Sequence, residues 1–480
     1  MGGICALSKE WEEQKEQARS SASEGEKESE TQTPGPDTSP NSFRKFSCST
    51  PPEVPPLPLL PPGKTIFINS PLLITELYPP GLEVDEKGMF SGLERNLMQD
   101  SAGPEALKEA ISGGWLRLCY QSRSCPQAVW QWLFQIMCRS GDDVLSNGAF
   151  RNLTALLQLA LRRNDRASIH TPSLADIVDV LVCMGADQNR LFSGVPCAGE
   201  MEVDESEEVF HPKIPARNLS HFLKYLTTYT RVLPGCYTLA ELENLVILLL
   251  NVALDPQLCG RPIENDIVQC IGVALATIPE ESWMKAAKRI LPRALALSDH
   301  HHNLLHIAYL ISGTSETEHQ RFLQKLFCRE SIAQITGLKP VEWLRMKESS
   351  VKTETTNGDL PTAENKISTT QLDDSDCSFA QEVILYYYRT PSEKYDYYCM
   401  YSVLRMLSMF MLPAEMKWPS QEKQKAFEQL LGSLSSDKIR DNLRNPERGP
   451  VKDLVIRMRL EVNRQKVAGQ LKQTDLFAFQ

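Results

Sequence analysis

The chain has 480 residues, a formal net charge of -10 and 42% hydrophobic residues. This length fits two or three average domains or one extended repeat array. The acidic total excludes a general nucleic-acid coat, because neutralising phosphates requires a large basic excess. The thirteen cysteines include no Cys-x-x-Cys pair, which is typical of reduced, buried thiols and not of a disulfide framework. No run approaches the ~20 apolar residues that span a bilayer.

The first 62 residues are predicted to be a disordered tail, rich first in Ser and Glu and then in Pro. The proline-rich stretch 51–62 favours a stiff polyproline II spacer over a docking motif for SH3 or WW domains. The start Met1-Gly2-Gly3-Ile4-Cys5 is similar to a myristoylation and palmitoylation signal, but Ala6 stands where Ser or Thr is preferred. An ordinary disordered start is therefore expected, and a lipidated N-terminus is kept as the alternative.

After the tail, the short apolar stretch 65–77 is broken by proline and is predicted to lie on the folded body as an extended arm. From there the hydrophobic period is that of helices, with Pro and Gly as breakers. The predicted helices are 104–119, 126–139, 144–164, 173–184, 218–232, 238–254, 263–277, 280–291, 300–312, 316–329, 379–389, 395–412, 420–434 and 450–466.

Pairs of such helices joined by short turns indicate an all-α chain, and specifically an irregular helical-repeat array of the HEAT-like α-solenoid type. A crisp repeat signature is absent, so this expectation rests on architecture alone. The domain prediction is a helical-repeat domain at 63–346 with an acidic loop at 199–210, a disordered linker at 347–378, and a C-terminal helical block at 379–480 that packs on the repeat domain.

The stretch from Ser298 to Ile311 contains three consecutive histidines, His300 to His302, and a fourth at His306. Consecutive residues on a helix point about 100° apart, so the three cannot face one ion. Only His302 and His306 share a face, which leaves two ligands where zinc takes three or four. We therefore expect the entry to a buried helix, capped by Ser298 or Asp299, and no metal site.

Motifs for nucleotide binding, metalloprotease, nucleophile-elbow or kinase chemistry are missing from the sequence. Cys119 and Cys125 form a poor zinc half-site, and Trp115, Trp130 and Trp132 are predicted to pack in the core. The sequence therefore predicts a protein without enzymatic activity, catalytic residues or cofactors.

Within the predicted linker, Val351-Lys352-Thr353-Glu354 matches the apolar-Lys-x-acidic pattern that SUMO-conjugating enzymes accept. The hypothesis is a modification at Lys352, and the alternative is a chance match of four residues.

The C-terminal block from Lys438 to Lys472 holds ten basic and four acidic residues, a local excess of six. Arg457, Arg459 and Arg464 are the candidate contacts to DNA or to an acidic partner. A solvated helix face is the alternative interpretation of the same residues.

The last residues are similar to a sliding-clamp-binding box, with Leu476, Phe477 and Phe479 as candidate contacts. Gln480 occupies the position where a second aromatic residue is required, so packing of this tail on the helical block is the preferred prediction.

Three stretches carry a resemblance to a known family: 125–137, 223–234 and 298–305. The chain resembles the family with sequence similarity 178 over roughly 65–470, and its sparse N-terminus resembles the smaller B member more than the larger one. The larger member is a localisation factor for the structural-maintenance-of-chromosomes 5/6 complex. The resemblance implies a helical domain related to non-SMC regulatory subunits, a BRCT/ankyrin-type adaptor as partner, recruitment to DNA lesions, and no catalytic residues.

The functional expectation is a non-catalytic helical scaffold that binds subunits or adaptors of the 5/6 complex and regulates or recruits that complex in genome maintenance. Its expected location is the nucleus, or otherwise the cytoplasm. Direct DNA contact is expected to be weak. The alternative is a cytosolic or membrane-associated adaptor with a lipidated N-terminus and no chromosomal role.

Overall fold

The computed structural model describes residues 57–74, 103–166, 169–192, 213–312, 317–338, 372–413, 417–439 and 447–477, with side chains except at 103–104 and 468–477. Over these ranges the chain forms sixteen α-helices, and β-structure is limited to two isolated bridges. The all-α prediction is confirmed for this part of the protein. No helix in it has the length and apolarity that crossing a bilayer requires.

The helices, numbered in chain order, have the following bounds. They are α1 Gly103–Ser112, α2 Leu116–Cys119, α3 Gln127–Arg139, α4 Asp143–Arg162, α5 Leu174–Cys183, α6 Gln188–Phe192, α7 Ala216–Val232, α8 Leu239–Ala253, α9 Pro262–Thr277, α10 Glu280–Leu295, α11 His301–Ser312, α12 Glu318–Thr336, α13 Asp374–Arg389, α14 Tyr397–Met411, α15 Gln421–Ser433 and α16 Arg448–Phe477.

Local sequence explains where many helices begin. Ser173, Thr238, Thr317 and Asp373 each form a capping box, in which the side chain accepts from the backbone N–H three residues on and the third residue accepts in return. These contacts satisfy N–H groups that have no partner inside the helix. Helix α12 ends at Thr336 and is capped by Gly337, whose φ of 70° is the left-handed conformation that glycine adopts freely.

The helices pack on one another in a continuous succession. Helix α4 contacts α3 and α7, α9 contacts α7, α8 and α11, α12 contacts α10, α11 and α14, and α16 contacts α14 and α15. One hydrophobic core runs through them from Ile66 to Val462. The HEAT-like type of the array and the division into domains stay predictions.

Residues 63–74, named the strap below, lie extended across the helices. This confirms the predicted arm over 65–74, and residues 75–77 lie outside the described ranges. Ile66 and Phe67 are completely buried. The backbone N–H of Lys64 donates to the carbonyl of Leu254 at 2.8 Å, and that of Asn69 donates to the carbonyl of Gly185 at 3.0 Å. The strap therefore connects helix ends that are far apart in the chain.

Some helix boundaries differ from the prediction. The single helix predicted at 104–119 is wrong, because Gly114 has a φ of 72° and separates α1 from α2. Pro292 lies inside α10 and does not end it. Proline removes one N–H donor from the helix, but the Pro292 carbonyl still accepts from the N–H of Ala296 at 3.1 Å.

Further differences concern helix ends and one additional helix. The short α6 was not predicted, α12 continues seven residues beyond the predicted end at 329, and α16 continues to Phe477 and not 466. Helix α13 begins at Asp374, five residues before the predicted start, because the capping box of Asp373 and Asp376 initiates it.

Candidate partner-binding surfaces

The histidine run begins helix α11, as predicted, and Ser298 caps its entry. The Ser298 Oγ accepts from the backbone N–H of His300 at 3.1 Å and from the Asn303 Nδ2 at 3.0 Å. Leu304 and Ile307 lie on the buried side of the helix. The three consecutive histidines are therefore half-buried at the entry of a helix whose following residues lie in the core.

The histidine side chains reach different partners. His301 Nδ1 lies 2.9 Å from Ser402 Oγ, and His302 Nδ1 lies 2.5 Å from the Tyr398 hydroxyl, both on α14. The buried His306 faces Cys259 instead, with Nε2 3.9 Å from Sγ. Within the described ranges, no group of three His, Cys, Asp or Glu side chains could hold a metal ion. These histidines join α11 to its neighbours.

Burial determines the charge of these histidines. Desolvation lowers the pKa of His301 and of His302 to about 4, and the neighbouring histidines add to the shift. Both rings are therefore neutral near pH 7, and each has one donor and one acceptor nitrogen. The contacts that these two histidines make between α11 and α14 are therefore uncharged hydrogen bonds and ring contacts, whereas Arg405 on α14 donates a charged hydrogen bond to the Tyr309 hydroxyl on α11.

The cysteines in the described part are free thiols, and most of them are buried. Burial raises the pKa of Cys125 far above its usual range and that of Cys259 and of Cys270 to about 12. A thiol with a raised pKa is a poor nucleophile and a poor metal ligand near neutral pH.

Leu118 on α2 and Trp115, the N-cap residue of that helix, form an exposed apolar surface, named the α2 surface below. Trp115 is 51% exposed, so its predicted packing in the core is wrong, whereas Trp130 is completely buried and Trp132 packs against the core. The reason is that the break at Gly114 turns the short helix so that Leu116 faces inward. Tryptophan is among the residues that carry most binding energy at protein interfaces.

Arg457, Arg459 and Arg464 all lie on α16 with exposed side chains. Arg459 Nε is 3.7 Å from Glu428 on α15, and Arg464 pairs with Glu461 at 2.9 Å. Arg457 makes no ion pair with any residue that the structure describes. The three arginines thus share one helix but differ in how far their charge is compensated.

The other predicted site residues fall at or beyond the edge of the described ranges. Leu476 and Phe477 lie in the last turn of α16, where only the backbone is described, and Phe479 and Lys352 lie outside. The lipidation-like start, the acidic loop and most of the linker also lie outside. The modification, clamp-binding and lipidation hypotheses therefore stay predictions.

The sequence interpretation missed the residues that hold the strap. Asp255 is completely buried, and its Oδ2 accepts from the backbone N–H groups of Ile66 at 2.7 Å and Phe67 at 2.9 Å. Asn303 Oδ1 accepts from the N–H of Gly63 at 2.9 Å. The sequence signal that could have identified Asp255 is its position just after the long apolar helix α8. A carboxylate buried at such a position requires hydrogen-bond partners.

A model of the Coiled-coil and Nse Interacting (CANIN) domain matches residues 6–337, more than half of the chain. The human "Protein FAM178B" is 28% identical over 266 residues, which cover 52% of this chain and 37% of the relative. The human "SMC5-SMC6 complex localization factor protein 2" is 24% identical over 276 residues, 52% of this chain and 22% of the relative.

The zebrafish (Danio rerio) "SMC5-SMC6 complex localization factor protein 2" is 25% identical over 235 residues, 45% of this chain and 20% of the relative. The chain thus spans between a fifth and two fifths of the length of these relatives. These matches confirm the resemblance to the family with sequence similarity 178, with the relatives matching about half of the chain and not the predicted range of roughly 65–470. The chain belongs to the CANIN domain family.

Proposed function

We propose that this protein is a non-catalytic helical adaptor that binds subunits of the structural-maintenance-of-chromosomes 5/6 complex in the nucleus. The match of residues 6–337 to a domain named for interaction with Nse proteins carries the proposal. Two of the relatives are named as localization factors of that complex. A long succession of packed helices supports the role, because such arrays expose extended surfaces while burying a continuous core.

The α2 surface is the proposed contact within the matched region. Trp115 and Leu118 are exposed three residues apart, within about one helical turn, and Arg117 between them is exposed as well. Tryptophan and arginine are enriched at the centres of protein–protein interfaces, and here both are exposed next to an aliphatic residue. The inward-facing residues of α2, Leu116 and Cys119, secure the helix to the core.

The test is co-purification of the full chain with purified subunits of the 5/6 complex, followed by immunoblotting of those subunits. The double variant Trp115→Ala with Leu118→Ala is expected to reduce recovery at least about tenfold while thermal unfolding stays unchanged. Phe192→Ala is the matched control, because Phe192 is an exposed aromatic residue on α6. Failure of the unaltered chain to recover any subunit contradicts the function, whereas equal recovery by the double variant contradicts only the α2 surface.

The lipid-anchored adaptor stays the alternative. If the unaltered full chain is recovered in the membrane fraction and the Gly2→Ala variant is not, the lipid-anchored adaptor is favoured over the nuclear function.

A further inference from the structure

Helix α16 exposes a row of aliphatic side chains to solvent. Ile456 is 41% exposed, Leu460 64% and Val467 54%. Leu460 follows Ile456 by four residues and Val467 follows Ile456 by eleven. These spacings are close to one and three full helical turns, so the three side chains lie on one face. This row is named the α16 stripe.

The stripe is not needed to hold α16 in place. Val451, Val455, Met458 and Val462 form the opposite face and are completely buried, and α16 packs with that side against α14 and α15. Helix α16 is therefore apolar on two opposite faces, and only one of them is used for packing within the described part of the fold. Aliphatic side chains aligned along a helix are the arrangement that a second helix recognises.

Charges beside the stripe limit what can bind there. Between 448 and 467, α16 has six basic residues and two acidic ones, an excess of four. Arg457, Arg464 and the exposed Asp453 flank the stripe on one side, and Lys452 and Arg459 flank it on the other, as helical spacing requires. Basic residues outnumber the acidic one on these flanks, although Arg459 pairs with Glu428 and Arg464 with Glu461. Arg457 is exposed and has no ion pair among the described residues.

This arrangement selects one occupant. Two copies of α16 would bring the same positive excess together, which opposes self-association. A row one side chain wide, without aromatic residues, fits the seam of a helix pair better than a lipid surface. We propose that the α16 stripe binds an amphipathic helix of a partner protein whose apolar seam is flanked by Asp and Glu. The stripe lies outside residues 6–337, so the proposal stands apart from the proposed function.

The test measures fluorescence anisotropy of a labelled helical peptide of about three heptads, with Leu at the seam and Glu on both flanks. The second peptide has Lys in place of Glu. The full chain is expected to bind the Glu peptide at least about tenfold more tightly than the Lys peptide. Affinity for the Glu peptide is expected to fall as NaCl rises from about 50 to about 500 mM, because screening weakens exposed charge pairs.

Variants separate the two parts of the contact. Leu460→Asp is expected to weaken binding of the Glu peptide at least about tenfold, and Arg457→Glu about threefold or more. Val144→Asp and Arg151→Glu are the matched controls, because both residues are exposed on α4. Both controls are expected to bind like the unaltered chain, and circular dichroism checks that all variants are folded.

Several results would overturn the proposal. They are no binding of the Glu peptide, equal binding of both peptides, and unchanged binding by Leu460→Asp. If sedimentation velocity shows that the unaltered chain is a dimer and the Leu460→Asp variant is a monomer, the stripe binds a second copy of this chain instead. If the unaltered chain co-sediments with phosphatidylserine vesicles and the Leu460→Asp variant does not, the stripe binds a membrane instead.

Discussion

Arg329 Nη1 donates to Asp376 Oδ1 at 3.3 Å between two side chains that are only 2% and 1% exposed. Lys325 Nζ donates to the other carboxylate oxygen, Oδ2, at 2.5 Å. The contact joins α12 to α13, which are separated in sequence by residues 337–373. Because Asp376 also accepts from the backbone N–H of Asp373 in the capping box, one carboxylate both initiates α13 and attaches it to α12.

Replacing Asp376 by alanine is expected to destabilise the protein by about 3–5 kcal/mol. Removing one member of a buried ion pair leaves the other charge buried without compensation. The free energy of unfolding from urea titration measures the effect. Asp374→Ala is the control two residues away, because Asp374 is 77% exposed and its pair with Lys423 lies at the surface. The control is expected to lose less than about 1 kcal/mol, and equal losses would contradict the assignment.

Asp255→Ala is expected to loosen the strap and to cost about 2–4 kcal/mol of unfolding free energy. The substitution leaves the buried N–H groups of Ile66 and Phe67 without their acceptor, and each unsatisfied buried group is costly. Hydrogen exchange of these two amides is expected to accelerate more than exchange in α9. Asp179→Ala, at an exposed position, is expected to change neither stability nor exchange. Unaltered protection of residues 66–67 would show that Asp255 does not hold the strap.

Gly185→Ala tests how closely the strap approaches the helices. Gly185 has a φ of 105°, and a Cβ atom there would lie 2.3 Å from the carbonyl oxygen of Asn69. Gly114→Ala is the matched control, since Gly114 has a φ of 72° and a Cβ would meet nothing within 4 Å. The control is expected to cost about 1–2 kcal/mol from backbone strain alone. Gly185→Ala is expected to cost more and to expose the strap to limited proteolysis, and equal costs would rule out the close approach.

Stability is expected to fall as the pH drops from 6.5 to 4, in part because of His301 and His302. Their folded-state pKa of about 4 is below the ordinary value of 6.5, so the unfolded chain binds more protons in this window and unfolding is favoured. Above pH 6.5 both states are neutral at these positions and the effect vanishes. The double variant His301→Gln with His302→Gln keeps polar groups near Ser402 and Tyr398 but does not titrate. Its unfolding free energy is expected to depend less steeply on pH, and parallel curves would refute the assignment.

Much of the fold follows from local sequence. The 3.6-residue period of buried side chains placed most helices within two residues of their observed starts, and capping residues such as Ser173 and Thr238 account for where they begin. The strap was predictable because a proline-broken apolar stretch is too short for a helix and too apolar for solvent. The histidine run was identified as a helix entry because consecutive residues on a helix diverge.

Other features were decided by tertiary structure. The sequence shows that Trp115 is apolar, but only the turn at Gly114 places it outside while Trp130 is buried. Arg457 and Arg459 look equivalent in sequence, and only the position of Glu428 on α15 compensates one of them. Asp255 and Asp376 acquire their roles from backbone and side chains 188 and 47 residues away. Local periodicity reports which face of a helix is apolar, whereas the partner of each face is chosen by packing between segments distant in the chain.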